Sequence, residues 1–255
     1  MIYNYLELLQ QFIFTDFKLR YKNSYLGIIW IILKPLATFG VIYLIWSNIF
    51  VVDESYRMGL LLGIIIMNVF SEAILMGLTS LMNKVGIILK INFPREVVVY
   101  SSVSVSFLDF LFNMVVFAIF SIFTPINTTF IGFILFLLSM LCVFILTLGL
   151  SQFLSVIFIK LRDIHNLMVV ILQLIFWMTP VYYELEMLPE NLQNIIKLNP
   201  LTLIVTYARK GLIEGSSVRG EDFVQIGVVL LFSIIIFILG HIFFKKKIPK
   251  LAEFF

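Results

Sequence analysis

Six apolar runs, most of them long enough to cross a bilayer as helix, constrain this chain more than any other feature of its sequence. About 20 apolar residues span a hydrocarbon core of ~30 Å, and the runs Gly59 to Leu81 and Phe130 to Ile159 exceed that length. Composition agrees: 61% of the 255 residues are hydrophobic, 13% are charged and the mean hydropathy is +1.07. Soluble chains hold about 45–50% apolar and roughly 25% charged residues. The chain is therefore expected to be an all-α integral membrane protein that crosses the bilayer several times. Its net charge of +3 is small, and its basic residues sit beside apolar runs. That placement marks them as topology signals and makes nucleic acid an unexpected partner. The single cysteine, Cys142, lies inside an apolar run, so neither an intrachain disulfide nor a thiolate metal site is expected.

Met1 to Lys22 reads as an amphipathic helix in the plane of the membrane interface. Polar Asn4, Glu7, Gln11, Thr15, Lys18 and Lys22 recur at steps of three or four, as do apolar Ile2, Leu6, Leu9, Ile13 and Phe17. Such a helix has one wet and one greasy face. Charges interrupt the segment and no small-residue cleavage site follows a short apolar core, so it is not expected to be a cleaved signal. Six spans follow within one membrane domain, predicted at 35–52, 59–81, 97–123, 130–159, 164–181 and 223–244. Pro35 suits the first turn of a helix, where its missing N–H costs nothing. The fifth span is short: 167–181 rises only about 22 Å as helix. Either it extends back to Ile164 or a re-entrant segment completes it.

With the amino terminus inside, thirteen of the 18 Lys and Arg fall on inner segments. Arg57, Lys197, Arg209, Lys210 and Arg219 fall on outer ones. Positive residues favour the cytoplasmic side, so both termini are expected there. The largest outer segment, 182–222, carries two short helical patterns. Pro189 opens the first, with Leu192, Ile195 and Ile196 on one side and Asn199 and Pro200 as its stop. The second runs from Leu201 through Ile204, Val205, Ala208 and Leu212, with Gly211 available to end it. A re-entrant pair guarding a pathway fits this pattern, and so do two helices resting on the bilayer.

The stretch Arg20 to Pro35, RYKNSYLGIIWIILKP, joins the surface segment to the first span. It resembles the R-Y-[RK]-x-S-x-L-G-x-x-W-x-x-x-x-P signature of type-2 ABC exporter permeases for O-antigen, capsule and teichoic acid. The matching residues are Arg20, Tyr21, Lys22, Ser24, Leu26, Gly27, Trp30 and Pro35. NKVGIILKINFPREVVVY, Asn83 to Tyr100, is similar to that family's first cytoplasmic loop. IKLRDIHNLMVVILQLIFWMTPVYY, with LNPLT at Leu198 to Thr202, resembles its second loop, fifth helix and gate region. The resemblance covers nearly the whole chain.

It implies the transmembrane subunit of an ATP-driven exporter of lipid-linked polysaccharide in the bacterial inner membrane. Two copies would pair, and each would dock on a separate nucleotide-binding ATPase. No G-x-x-x-x-G-K-[ST] run, whose amides and lysine cradle phosphates, occurs here. ATP and Mg²⁺ are therefore expected on the partner, with no cofactor on this chain. The loop 83–96, with Lys90, Phe93, Pro94, Arg95 and Glu96, would be the coupling element that receives the partner's motion. Read without the resemblance, it is an interfacial loop whose Lys90 and Arg95 anchor to headgroups. Arg20 and Lys22 would stand at the cytoplasmic mouth, where they could face lipid phosphate, the substrate's diphosphate or the partner chain.

Glu72 and Asp109 sit midway along the second and third spans, where a charge costs at least ~2.5 kcal/mol. Each is expected to be held structurally by Ser71, Ser106 or Asn113 more than to touch substrate. Phe39, Tyr43 and Trp46 share one face of the first span, and Phe176 and Trp177 lie in the fifth. Aromatic planes suit the C–H faces of sugar rings, so these residues are candidates to line the substrate path, with packing against lipid as the plain alternative. His165 and His241 are isolated, and Glu184, Glu186 and Glu190 lack companion metal ligands. Asp163 is placed to cap the fifth helix. Two alternative functions remain: an ABC permease for a drug or lipid, and a membrane transferase acting on a lipid carrier. The transferase calls for a polar catalytic cluster at one membrane face, and the sequence offers none.

Overall fold

A computed structural model describes residues 5–22, 27, 29–49, 54–124, 126–183 and 185–249. Ser24 and Leu26 of the amino-terminal motif lie outside the described residues. Among the described residues ten α-helices follow in order: α1 (Tyr5–Tyr21), α2 (Ile29–Ile49), α3 (Glu54–Asn83), α4 (Val85–Ile88), α5 (Glu96–Phe123), α6 (Phe130–Lys160), α7 (Ile164–Met178), α8 (Glu190–Lys197), α9 (Pro200–Ile213) and α10 (Gly220–Lys247). Among the described residues there is no strand, only an isolated bridge between Asn127 and Glu214. The architecture is the all-α membrane fold expected. Helices α2, α3, α5, α6 and α10 are long and apolar enough to span, and α7, at 15 residues, is a shorter apolar helix.

α3 is the axis of the bundle. In its most apolar window 78% of residues are buried inside the protein, against 6% in α2. A helix that is apolar all round needs cover on every side; the rest of the chain supplies it for α3 and leaves most of α2 uncovered. α5 and α6 pack on α3, α10 packs along α6, and α9 is wedged against α3, α6 and α10. Glycines set two close crossings, of α6 with α9 and of α6 with α10. A Cβ on Gly132 would overlap the Gly211 carbonyl, and one on Gly240 would overlap that of Gly149. Small residues let backbones approach and gain packing where no hydrophobic force separates protein from lipid.

Several boundaries differ from the sequence reading, each for a local reason. α2 begins at Ile29, so Pro35 lies inside the helix. The apolar run starts before the proline, which forfeits only one intrahelical bond. α7 reaches back to Ile164 but stops at Met178, before Thr179 and Pro180. Asp163 occupies the cap position without a side-chain bond, because the Ile164 and His165 amides already donate to the Leu161 and Arg162 carbonyls. Gly211 does not end α9; it serves the crossing with α6. Gly27 adopts φ +32° between α1 and α2, a conformation glycine takes freely.

Candidate functional site

The chemistry-bearing residues gather in three places. The first is a cleft of about 250 Å³ between α1, α2, α3 and α5, lined by Arg20, Tyr21, Lys34, Glu72 and Asp109 with Trp30 at its edge. Arg20 Nη1 lies 2.7 Å from Asp109 Oδ2 and Arg20 Nη2 lies 3.4 Å from Glu72 Oε2. Tyr21 donates its hydroxyl to Asp109 Oδ1 at 2.8 Å, and burial pushes that phenol well above its ordinary value. Lys34 reaches Glu72 Oε1 at 3.2 Å. The two acids are therefore held structurally, but by cations of α1 and α2. The serine and asparagine partners expected go elsewhere: Ser106 Oγ contacts Met76 Sδ at 3.2 Å, and Asn113 Nδ2 donates to the Asp109 carbonyl at 2.9 Å. Pairing is what makes four charges tolerable at this depth.

The same contacts fix α1. Its polar residues Glu7, Gln11, Thr15 and Lys18 are exposed, as the wet face requires, but the helix runs along α5. Phe17 stacks on Phe112 with ring centroids 6.0 Å apart. Lys22 is exposed at its end.

The second place is the end of the bundle that carries the lysines Lys245 to Lys247. Lys84 is ion-paired to Asp16 and donates to Ser101 Oγ at 3.0 Å. Its ammonium lies over the Phe12 ring at 4.8 Å, and Phe12 packs on Phe93 at 5.5 Å. Burial pushes the Lys84 ammonium below its ordinary value, and Asp16 offsets only part of that. Arg95 Nη1 donates to the Ile248 carbonyl at 2.8 Å. The loop 83–96 is thus tied to α1 by Lys84 and Phe93 and to the end of α10 by Arg95. Among its candidate residues, Phe93, Arg95 and Glu96 are half-buried, while Lys90 and Pro94 are exposed. The loop also exposes Ile87, Leu89 and Ile91. The sequence reading passed over these three apolar residues because an isoleucine or leucine beside a span looks like part of the span.

The third place is an aromatic cluster between α2 and the turn after α7. Phe39 stacks on Tyr43 at 5.6 Å. Trp46 and Trp177 approach Tyr182 at 5.6 and 5.0 Å, and Phe176 lies 5.7 Å from Trp177 and 6.5 Å from Tyr182. Of the five aromatic candidates, Trp46, Phe176 and Trp177 meet through Tyr182, which sequence reasoning missed, whereas Phe39 and Tyr43 stack on each other and Phe39 also meets Phe120 of α5 at 6.2 Å. The position of Tyr182 in the run TPVYY gives it two rings in a row as a signal, but its contact with Trp46 spans over a hundred residues of chain. Burial pushes the Tyr182 phenol up to about 12, and its hydroxyl donates to the Trp177 carbonyl at 2.8 Å.

Two motif pieces meet beneath this cluster. Asn199 of LNPLT accepts from the Leu201 amide at 3.1 Å, capping α9, and donates to Thr179 Oγ1 at 3.1 Å. Arg209, counted from sequence only as an outer positive charge, donates to the carbonyls of Gly59 and Pro180 at 2.8 Å each and to that of Val181. It staples the start of α3 to the turn after α7.

An ion-paired interior, a polar loop tied to two helices, and apolar helices wrapped around α3 define a polytopic helical membrane protein. Comparison with known families then supplies the particular one. The description of the ABC-2 type transporter family matches residues 7–213, so the chain belongs to that family. It is 29% and 28% identical to two proteins of Klebsiella pneumoniae named O-antigen export system permease protein RfbA, each over 93% of this chain and 91% of the relative. A protein of the same name from Myxococcus xanthus is 23% identical over 80% of each chain.

Proposed function

We propose that this chain is the transmembrane subunit of an ATP-driven exporter carrying lipid-linked, O-antigen-like polysaccharide from the cytoplasmic to the outer face of the bacterial inner membrane. The names of three relatives aligned over most of their length support that substrate class. In this reading two copies pair, and each docks on a separate ATPase that holds ATP and Mg²⁺. Both termini face the cytoplasm, and the α8–α9 end faces outward.

The observation that carries the mechanism is the double tie of the loop 83–96. A soluble partner that grips Leu89, Lys90 and Ile91 pulls on α1 through Lys84 and Phe93 and on α10 through Arg95. Rigid motion of the partner thereby reaches α1, and α1 reaches the charged cleft through Arg20 and Tyr21. The glycan would pass the aromatic face of Phe39, Tyr43 and Trp46 with Phe176 and Trp177, where rings offer area without fixed charge.

The test is co-expression with the ATPase. The wild-type chain is expected to co-purify with it and to restore surface glycan in a permease-deleted strain. Leu89→Asp with Ile91→Asp is expected to lose the ATPase while still inserting. Charge reversal at Glu96 is expected to leave ATP hydrolysis running without export. Normal glycan export by both variants would refute the coupling assignment, and restored drug or lipid efflux without glycan would refute the substrate.

A further inference from the structure

A second cleft, of about 500 Å³, opens at the α8–α9 end between the start of α3, the turn after α7, α9 and the start of α10. It has no part in the coupling path, and it adjoins the aromatic cluster, with Tyr183 of its wall 5.0 Å from the Tyr182 ring. Its walls carry three tyrosines, Tyr56, Tyr183 and Tyr207, all half-buried, together with Lys210, Glu214 and Asp222.

The chemistry of these walls is specific in two ways. First, the charges cancel locally. Lys210 Nζ lies 2.8 Å from Asp222 Oδ2 and 2.9 Å from its Oδ1, while Asp222 also accepts from the Arg219 amide at 2.7 Å. A cleft so balanced selects neither anions nor cations, yet it presents carboxylate and ammonium groups to hydroxyls. Second, the rings are held rigid while one polar tip is left open. Tyr56 donates to the Tyr182 carbonyl at 2.8 Å and Tyr183 to that of Met178 at 3.2 Å. The Tyr207 hydroxyl has no hydrogen-bond partner among the described residues. Flat apolar rings, a free hydroxyl and neutralised charged groups suit a molecule with C–H faces and many hydroxyls, which is a sugar. Ligand clefts run about 300–1,000 Å³, so this one accommodates roughly two or three pyranose rings.

We propose that this cleft is a sugar-binding subsite that holds a short stretch of the exported glycan at the outer end of the protein. The assignment rests on the polysaccharide reading given above and adds to it a place where the emerging chain is held. Arg209 makes the subsite possible, since its bonds to Gly59 and Pro180 keep two of the cleft's walls together.

Saturation-transfer NMR of the permease in nanodiscs tests it, with delipidated repeat-unit oligosaccharide from the same strain as probe. The wild type is expected to give transfer to ring protons. Tyr207→Ala should weaken binding at least about fivefold, and Tyr207→Phe, which keeps the ring, about twofold. If Tyr207→Ala fails to fold, Thr206→Cys serves in its place. Thr206 is exposed on the cleft wall and the native Cys142 is buried, so a bulky maleimide fills only the cleft and should abolish the signal. Transfer that is absent from the wild type, or that survives the filled cleft at unchanged affinity, overturns the subsite. The export reading is decided separately: a wild-type chain that restores surface glycan keeps that reading even if the subsite falls.

Discussion

The charged cleft and the aromatic cluster both use α2, the first near its start at Lys34 and the second toward its end at Trp46, yet they are finished in opposite ways. In the cleft every charge is answered within the chain: Asp109, with 4% of its side chain exposed, is held by Arg20 and Tyr21, and Glu72 by Arg20 and Lys34. In the cluster the rings touch one another but leave area free, with Trp177 half exposed. Groups that satisfy each other hold helices together, while groups left open are available to something that passes. On the function proposed above, the cleft would serve stability and the cluster would serve transport. Substitutions that separate folding from export sharpen this contrast, and ones that move both together break it.

The largest effect is expected at Asp109. Asp109→Leu takes away the 2.7 Å partner of Arg20 and leaves it only Glu72 at 3.4 Å, so the cost should fall toward the low end of the about 3–5 kcal/mol lost when one side of a buried pair is removed. Thermal unfolding in detergent should show the loss, and the assembled protein should fall with it. Asp109→Asn, which still accepts from Tyr21, should lose less. An Asp109→Leu protein as stable as the wild type but inactive would move the cleft to the transport side.

Asp16→Asn comes next, at about 1–3 kcal/mol near neutral pH, because it leaves Lys84 buried without its counter-charge. Burial already lowers the Lys84 value below 10.5, with Asp16 opposing. A lysine whose folded value is depressed costs stability below that value and returns it as pH climbs toward 10.5. The variant depresses it further, so its destabilisation should shrink as pH rises. A defect that grows with pH would show that Lys84 is not the group responsible.

The helices were readable from the sequence because apolar runs and polar breaks repeat along the chain itself. Even α8 and α9 followed from Pro189, Asn199 and Pro200. The depth and pairing of charges were not readable. Arg20, Glu72 and Asp109 are separated by 52 and 37 positions, and nothing local says that α1 runs beside α5. The same holds for Tyr182 beside Trp46 and for Arg209 beside Gly59. Periodicity reports which face of a helix is apolar, whereas ion pairs between helices depend on register that only packing sets.

Glu72→Gln should cost about 1 kcal/mol or less. Lys34 is 60% exposed and Arg20 keeps Asp109, so neither cation is stranded. The contrast with Asp109→Leu is the useful part. If unfolding shows the two to be equal, the cleft behaves as one cooperative network, and its division into a buried pair and an outer pair fails.

Trp177→Ala should have the smallest effect on folding, within about 0.5 kcal/mol, since half the ring is already exposed. Export should nevertheless slow about three- to tenfold if sugar rings rest on it during passage. The Tyr182 bond to the Trp177 carbonyl uses backbone and survives the change, so the turn after α7 keeps its shape. That isolates the ring face as the variable. A Trp177→Phe protein should recover most of the rate, because it restores the plane without the indole N–H. If Trp177→Ala instead unfolds as readily as Asp109→Leu while the export rate per folded molecule stays normal, the rings of the cluster are packing groups. The opposition between a closed interior and an open path would then have to be drawn elsewhere in the bundle.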